Sequence, residues 1–138
     1  MKGTIQIVMF ILIIFTISCE NNELQITLNA NENLSFSGVF KIINSENLSG
    51  TVNLNISNRH YTCSTDLPYG YGAGKLEANE TTINFIDTCF FATPALYGPS
   101  YVLSGEHYYI FDGEKLKIWR ENNVDSIVYD LILIKADP

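Results

Sequence analysis

Apolar and polar side chains alternate along most of the chain after residue 33. The alternation is clearest in residues 51–57, where Val52, Leu54 and Ile56 are separated by threonine, asparagine and serine. The same period of two returns in later segments rich in β-branched and aromatic residues, a pattern typical of strands with one buried face. It predicts strands near residues 35–43, 50–57, 60–65, 74–79, 81–87, 101–111, 114–120 and 126–135, with residues 24–28 as an optional further strand.

Turn residues separate these predicted strands. Asp112-Gly113 predicts a type I′ hairpin turn, and Asn58-Arg59 and Asn122-Asn123 mark two further turns. Two connections are longer, residues 66–74 and 92–100. Eight short strands joined in this way predict an all-β fold, a small antiparallel meander β-barrel, because closing the sheet removes exposed edges. A two-sheet β-sandwich is the alternative.

The first nineteen residues follow a different pattern. Lys2 precedes an apolar run from Ile5 to Ile17, and the small residue Ser18 comes directly before Cys19. The run is shorter than the ~20 residues that a membrane-spanning helix needs, and it is typical of a secretion signal. The segment resembles the signal and lipobox of bacterial lipoproteins. This resemblance implies that Cys19 carries lipid and holds the protein at the outer membrane or cell surface of a bacterium. An ordinary cleaved signal peptide and an uncleaved signal anchor are the alternatives.

Under this interpretation the chain has three parts. Residues 1–18 are a signal peptide, residues 19–33 are the lipidated cysteine and a polar tether, and residues 34–138 form a single β-barrel domain. Cleavage leaves 120 of the 138 residues, with seven basic residues against fifteen acidic ones, a net charge of −8. This charge argues against nucleic acid as a partner, and against docking on anionic lipid through basic residues. Membrane attachment is therefore expected to depend on the lipid anchor.

Two cysteines remain once Cys19 is assigned to lipid. Cys63 and Cys89 predict a disulfide, since exported chains commonly pair their thiols. The alternative is two buried thiols that act as small apolar groups.

Two weaker resemblances point to small envelope barrels. Leu103-Ser104-Gly105, Tyr108-Tyr109, Asp112-Gly113, residues 116–119 and residues 128–131 together resemble the final strands of lipocalin-like barrels in bacterial lipoproteins. This resemblance covers residues 101–135 and implies the barrel architecture but no ligand. Tyr61-Thr62-Cys63 is similar to a strand motif of membrane-bound lysozyme-inhibitor lipoproteins, which are also small disulfide-bonded barrels.

Six aromatic residues in or beside the two long connections are the candidate binding residues. If both connections gather at one rim of a barrel, these side chains could hold a small molecule, a glycan or a protein. The alternative is that some of them fold inward and plug the core. The six are Tyr69, Tyr71, Phe90, Phe91, Tyr97 and Tyr101.

The chain offers no set of residues that points to catalysis. His60, Cys63 and His107 fall short of a zinc site, and no pair of carboxylates stands out, so we expect no metal, no cofactor and no enzyme activity. We expect a lipid-anchored envelope lipoprotein that binds a ligand or macromolecule through its rim loops. One alternative is an inhibitor or immunity-type module that blocks a foreign enzyme such as a lysozyme. A lesser alternative is a hydrolase whose carboxylates converge only in the fold.

Overall fold

The computed structural model describes residues 25–43, 48–67, 70–88, 103–121 and 126–134. Within these ranges the chain forms eight strands and no helix, so no described helix could span a membrane. Consecutive strands pair antiparallel, and the last strand pairs with the first to close the barrel. The predicted all-β meander barrel is confirmed. The strands are β1 (Leu34–Ile43), β2 (Ser49–Ser57), β3 (His60–Thr65), β4 (Tyr71–Ala78), β5 (Thr82–Asp87), β6 (Gly105–Phe111), β7 (Lys115–Glu121) and β8 (Ser126–Leu133).

The alternation in the sequence places one side of each strand inside the barrel. Val52, Leu54 and Ile56 of β2 are fully buried, while the residues between them face solvent. Large side chains meet across the interior, where the rings of Tyr61 and Phe85 pack edge to face with centroids 4.9 Å apart. Burying each such side chain contributes roughly 1.5–3 kcal/mol, so this core is the main source of stability. The largest fully buried side chains are Tyr61, Tyr109, Tyr129, Phe36, Phe40, Phe85, Ile42, Leu54, Ile56, Leu76, Ile83 and Leu103.

Two glycines within strands allow neighbouring strands to approach closely. A Cβ atom at Gly38 in β1 would overlap the carbonyl oxygen of Asp130 in β8. One at Gly74 in β4 would overlap the carbonyl oxygen of Ile86 in β5. Glycine in a strand often marks a close backbone approach or a bend, and bends of this kind help a sheet to close into a small barrel.

The strand order gives the barrel two different ends. At the lower end, short turns join β2 to β3, β4 to β5 and β6 to β7. At the upper end lie the connections from β1 to β2, from β3 to β4, from β5 to β6 and from β7 to β8. The two long connections noted in the sequence therefore start and finish at the upper end.

Two of the lower turns have geometries that the sequence only partly predicted. Asn58 and Arg59 have φ angles of 47° and 61°, and a type I′ turn requires positive φ at both central residues. In the β6–β7 turn, the φ angle is 98° at Gly113 but is not positive at Asp112. The Asp112 N–H donates to the Lys115 carbonyl at 3.2 Å, so these two residues flank the turn. The two-residue turn is therefore Gly113-Glu114, with positive φ only at the first residue as in type II′. The predicted type I′ turn at Asp112-Gly113 was wrong.

Residues 25–33, which the sequence interpretation assigned to the tether, pack across the lower end of the barrel. Leu28 is buried with the core residues, and its N–H donates to the Tyr109 hydroxyl at 3.1 Å. That hydroxyl donates in turn to the Asn79 carbonyl at 2.6 Å. The Arg59 N–H donates to the Ala30 carbonyl at 2.7 Å. Residues 25–33 pack here because of hydrophobic burial, since Leu28 covers the open end of the core instead of facing water. Over residues 25–28 the optional further strand does not form.

Candidate functional site

The upper end of the barrel carries the part of the predicted rim that the structure describes. Tyr71 is the first residue of β4, is 43 % exposed and pairs with Ser64 at the upper end of β3. The other five candidate binding residues lie outside the described residues: Tyr69, Phe90, Phe91, Tyr97 and Tyr101. The strand order nevertheless brings the ends of both long connections to the end where Tyr71 is exposed.

Residues 103–104 are tied to the inward side of the upper end before the chain enters β6. Leu103 is fully buried, and its carbonyl oxygen accepts a hydrogen bond from the Tyr61 hydroxyl at 3.1 Å. The Ser104 carbonyl accepts a hydrogen bond from Nη1 of Arg120 at 3.0 Å. These two bonds join the returning chain to β3 and to β7, which lie on different sides of β6 in the barrel. The entry into β6 is therefore fixed at this end.

Cys63 is a free thiol in the interior of the barrel. Its side chain is fully buried, and the predicted disulfide is not present at this residue. Cys89 lies outside the described residues. Burial raises the pKa of the Cys63 thiol to about 11, and a hydrogen bond with the Leu103 backbone offsets part of that rise. The thiol is therefore protonated at neutral pH and acts as a small apolar group with one polar contact, which was the alternative considered from the sequence.

Four inward-facing side chains form a polar cluster near the upper end, which we call the upper cluster: Cys63, His107, Arg120 and Tyr129. The rings of His107 and Tyr129 lie 6.3 Å apart between centroids and meet at 75°. The charge of Arg120 acts on both rings, lowering the pKa of each. The cluster thus joins β3, β6, β7 and β8 beneath residues 103–104.

Arg120 is the only member of the upper cluster that is charged at neutral pH. Burial lowers the pKa of His107 to about 4, with a further lowering from Arg120, although a hydrogen bond from Nδ1 to the Gly105 carbonyl raises it. Because a carbonyl only accepts hydrogen bonds, the neutral ring carries its proton on Nδ1. Burial raises the pKa of the Tyr129 hydroxyl above its usual value. The cluster therefore carries one positive charge, on the guanidinium.

The carboxylates of Asp66 and Asp112 hold turns and connections of the barrel through hydrogen bonds to backbone N–H groups. Asp66 accepts the Thr51 N–H at 3.1 Å, and Asp112 accepts the Glu114 and Lys115 N–H groups at 2.8 and 2.6 Å. The latter bonds hold the pKa of Asp112 below its usual range. Among the described residues no group of three His, Cys, Asp or Glu side chains could hold a metal ion.

Arg120 and Tyr129 were not among the residues predicted from the sequence to form a site, although the alternation along the chain places both on inward-facing positions. Arg120 continues the alternation of Leu116 and Ile118 on β7, so it belongs to the inward-facing set. A charged residue at a core position is unusual and often marks a functional site. His107 entered the sequence analysis only as a candidate zinc ligand, and the structure places it in the core instead.

The outer surface carries two depressions at a distance from the upper cluster. One, of about 580 Å³, lies on the outside of β1, β7 and β8, next to Val39, Lys117 and Ile132. The other, of about 560 Å³, lies at the lower end beside Asn29 and Arg59.

Comparison of the chain with protein-family models, with curated proteins and with solved structures found no match. The functional inference therefore depends on the chain's own residues and geometry.

Proposed function

We propose that the chain is a lipid-anchored envelope protein whose barrel binds a protein partner through its upper end. The anchor is proposed from residues 1–19, where a basic residue, an apolar run and a small residue precede Cys19. Two or three acyl chains on that cysteine give stable attachment, because each buried methylene contributes roughly 0.8 kcal/mol.

The observation that carries the proposal is the place where the chain reaches the barrel. Gln25 lies at the lower end, where its side-chain amide donates to the Glu80 carbonyl at 3.1 Å. An extended chain rises at most ~3.6 Å per residue, so the six steps from Cys19 to Gln25 span no more than about 22 Å. A lipid on Cys19 would therefore keep the lower end close to the bilayer. The upper end, with both long connections, would face away from the membrane.

The occupied core favours a partner that binds outside the barrel. Barrels that carry small molecules enclose a cavity. Here Tyr61, Phe85 and Tyr129 are fully buried and pack against their neighbours, and the two depressions described above lie on the outside of the barrel. Contact through exposed residues such as Tyr71 suits a macromolecule better than a small apolar ligand.

Site-specific photo-cross-linking in the native host tests this proposal. A photo-reactive phenylalanine analogue replaces Tyr71 at the upper end, and the matched control replaces Tyr108, which is 56 % exposed on the outer wall. A third variant carries the analogue at Glu80 at the lower end. The proposal predicts a discrete protein adduct from position 71 and none of the same mass from positions 108 and 80. No adduct at position 71, or equal adducts at all three positions, would contradict it.

The identity of the adduct decides between the main proposal and the inhibitor alternative. A partner from the host envelope supports an envelope-binding role. An adduct that forms only after addition of a secreted lysozyme, together with loss of that enzyme's activity, supports the inhibitor role. An acidic chain is suited to a basic enzyme target because opposite charges speed association.

A further inference from the structure

Arg120 lacks the partners that a guanidinium group usually has in a protein core. Its Nη1 donates to the Ser104 carbonyl at 3.0 Å, but its Nε is buried and makes no hydrogen bond. No ion pair of Arg120 occurs among the described residues, where the ion pair found joins Arg59 to Glu77. We propose that Arg120 anchors a binding site for one oxyanion, a carboxylate or a phosphate group, at the upper end of the barrel.

The unpaired N–H group of Arg120 carries an energetic cost. A guanidinium has five N–H donors and is charged at any physiological pH. Leaving a buried donor without an acceptor costs about 1–3 kcal/mol, and more when the group is charged. An incoming oxyanion would supply the missing acceptor.

The charges around Arg120 favour the same ligand. Its neighbours in the upper cluster are neutral at pH 7, because burial keeps the Cys63 thiol and the Tyr129 hydroxyl protonated and His107 unprotonated. The cluster therefore attracts an anion locally, although the whole chain is acidic. Electrostatic attraction is stronger in a partly buried site than in water because the surroundings screen it less.

Gly105 leaves space beside Nη1 of the guanidinium. It has a φ of 78°, and a Cβ atom placed there would have only Nη1 of Arg120 within 4 Å, at 3.6 Å. The Nε edge of a guanidinium can bind two oxygens of one carboxylate or phosphate side by side. Arg120 is partly exposed through other atoms of its side chain, although Nε itself is covered. A small anion that moves in beside the guanidinium would meet a donor that the protein leaves unpaired.

Nuclear magnetic resonance of the two arginine side chains tests the site directly. The chain has two arginines, Arg59 and Arg120, so the spectrum contains two Nε–H resonances. Arg59 is an internal control, because it lies exposed at the lower end beside Glu77. The mature protein in detergent is titrated with inorganic phosphate, with acetate and with chloride at matched ionic strength.

The proposal predicts that the Arg120 resonance shifts and saturates with phosphate or acetate while the Arg59 resonance does not. A response to acetate alone identifies a carboxylate site, and a stronger response to phosphate identifies a phosphate site. Equal, non-saturating shifts of both arginines would show an adventitious ion only and would overturn the proposal. An Arg120 resonance that phosphate and acetate leave unmoved would overturn it as well.

Two variants separate binding from folding. In the wild type we expect the backbone amides of Ser104 and Gly105 to shift and saturate with the Arg120 resonance. Arg120→Gln removes the charge, and we expect these amide shifts to disappear. Arg120→Lys keeps the charge but loses the planar donor edge, so we expect about tenfold weaker binding with an intact amide spectrum. Arg59→Lys should leave binding unchanged. If Arg120→Gln does not fold, the wild-type titration and the lysine variant still decide the result.

The proposed anion site depends neither on the lipid anchor nor on the protein partner. A failed cross-link at Tyr71 with a saturable Arg120 site would remove the proposed function and leave the anion site. The reverse outcome would remove the anion site alone.

Discussion

The burial of His107 predicts that the barrel loses stability as the pH falls. The imidazole is 2 % exposed, and its ring packs edge to face against Phe85, with centroids 5.8 Å apart, and against Tyr129. Its pKa in the folded barrel is lowered from 6.5 to about 4, mainly by burial. The unfolded chain therefore binds this proton first as the pH falls. Stability is fully present above pH 6.5 and is lost progressively as the pH falls towards 4.

The size of the effect follows from the two pKa values. At pH 4.5 the unfolded histidine is almost fully protonated while the folded one is mostly neutral. Proton linkage then lowers the free energy of unfolding by roughly 2–3 kcal/mol relative to pH 7.5. A domain of this size is typically stable by only about 5–15 kcal/mol, so the loss is a large fraction of the total.

Urea unfolding measures this loss, with the single tryptophan, Trp119, as the fluorescent reporter. His107→Gln is compared with wild type at pH 7.5 and 4.5, and His60→Gln at the exposed lower turn is the matched control. Titration of carboxylates affects all three proteins and cancels in the differences. We expect wild type and His60→Gln to lose roughly 2–3 kcal/mol more than His107→Gln between the two pH values. Equal losses in all three proteins would refute the argument that a neutral, buried imidazole is responsible.

Three further predictions concern packing. Tyr109→Phe should lower the free energy of unfolding by about 2 kcal/mol, because it leaves the buried Leu28 N–H without an acceptor. Tyr108→Phe on the outer wall is the control and should change the free energy of unfolding by less than about 0.5 kcal/mol. Equal effects of the two substitutions would contradict the role of the Tyr109 hydroxyl. Gly74→Ala should cost about 1–3 kcal/mol in the same assay, since the added methyl group forces β4 and β5 apart, and a neutral result would contradict the close approach. In a Cys89→Ser background, the Cys63 thiol should react with an alkylating reagent only at the rate of unfolding, and rapid labelling of the native protein would contradict its burial.

Local patterns in the sequence were sufficient to predict the barrel. Period-two alternation marks strands such as β2 and β3 because both faces of a strand differ in environment, and that property is visible in a few consecutive residues. The Asn58-Arg59 turn was recognisable for the same reason. The exact turn geometry near Asp112-Gly113 could not be recognised from the sequence, because the pairing register of β6 with β7 decides which two residues occupy the turn.

Features that depend on contacts between distant residues were harder to predict. Leu28 looked like part of a tether, since nothing in its neighbourhood shows that the lower end of a closed barrel needs covering. Which N–H groups of Arg120 find an acceptor depends on the positions of Ser104 and Gly105, and these two residues follow a long connection. The sequence showed that Arg120 shares a face with Leu116 and Ile118, but only the fold shows which partners it has and which it lacks.

The intact mass of the protein extracted with detergent from membranes of its native host tests the central claim most directly. A lipid-anchored barrel predicts a chain that starts at Cys19 and carries the added mass of two or three acyl chains. A chain that begins elsewhere and carries no lipid would contradict the anchor, and with it the orientation that turns the upper end away from the membrane.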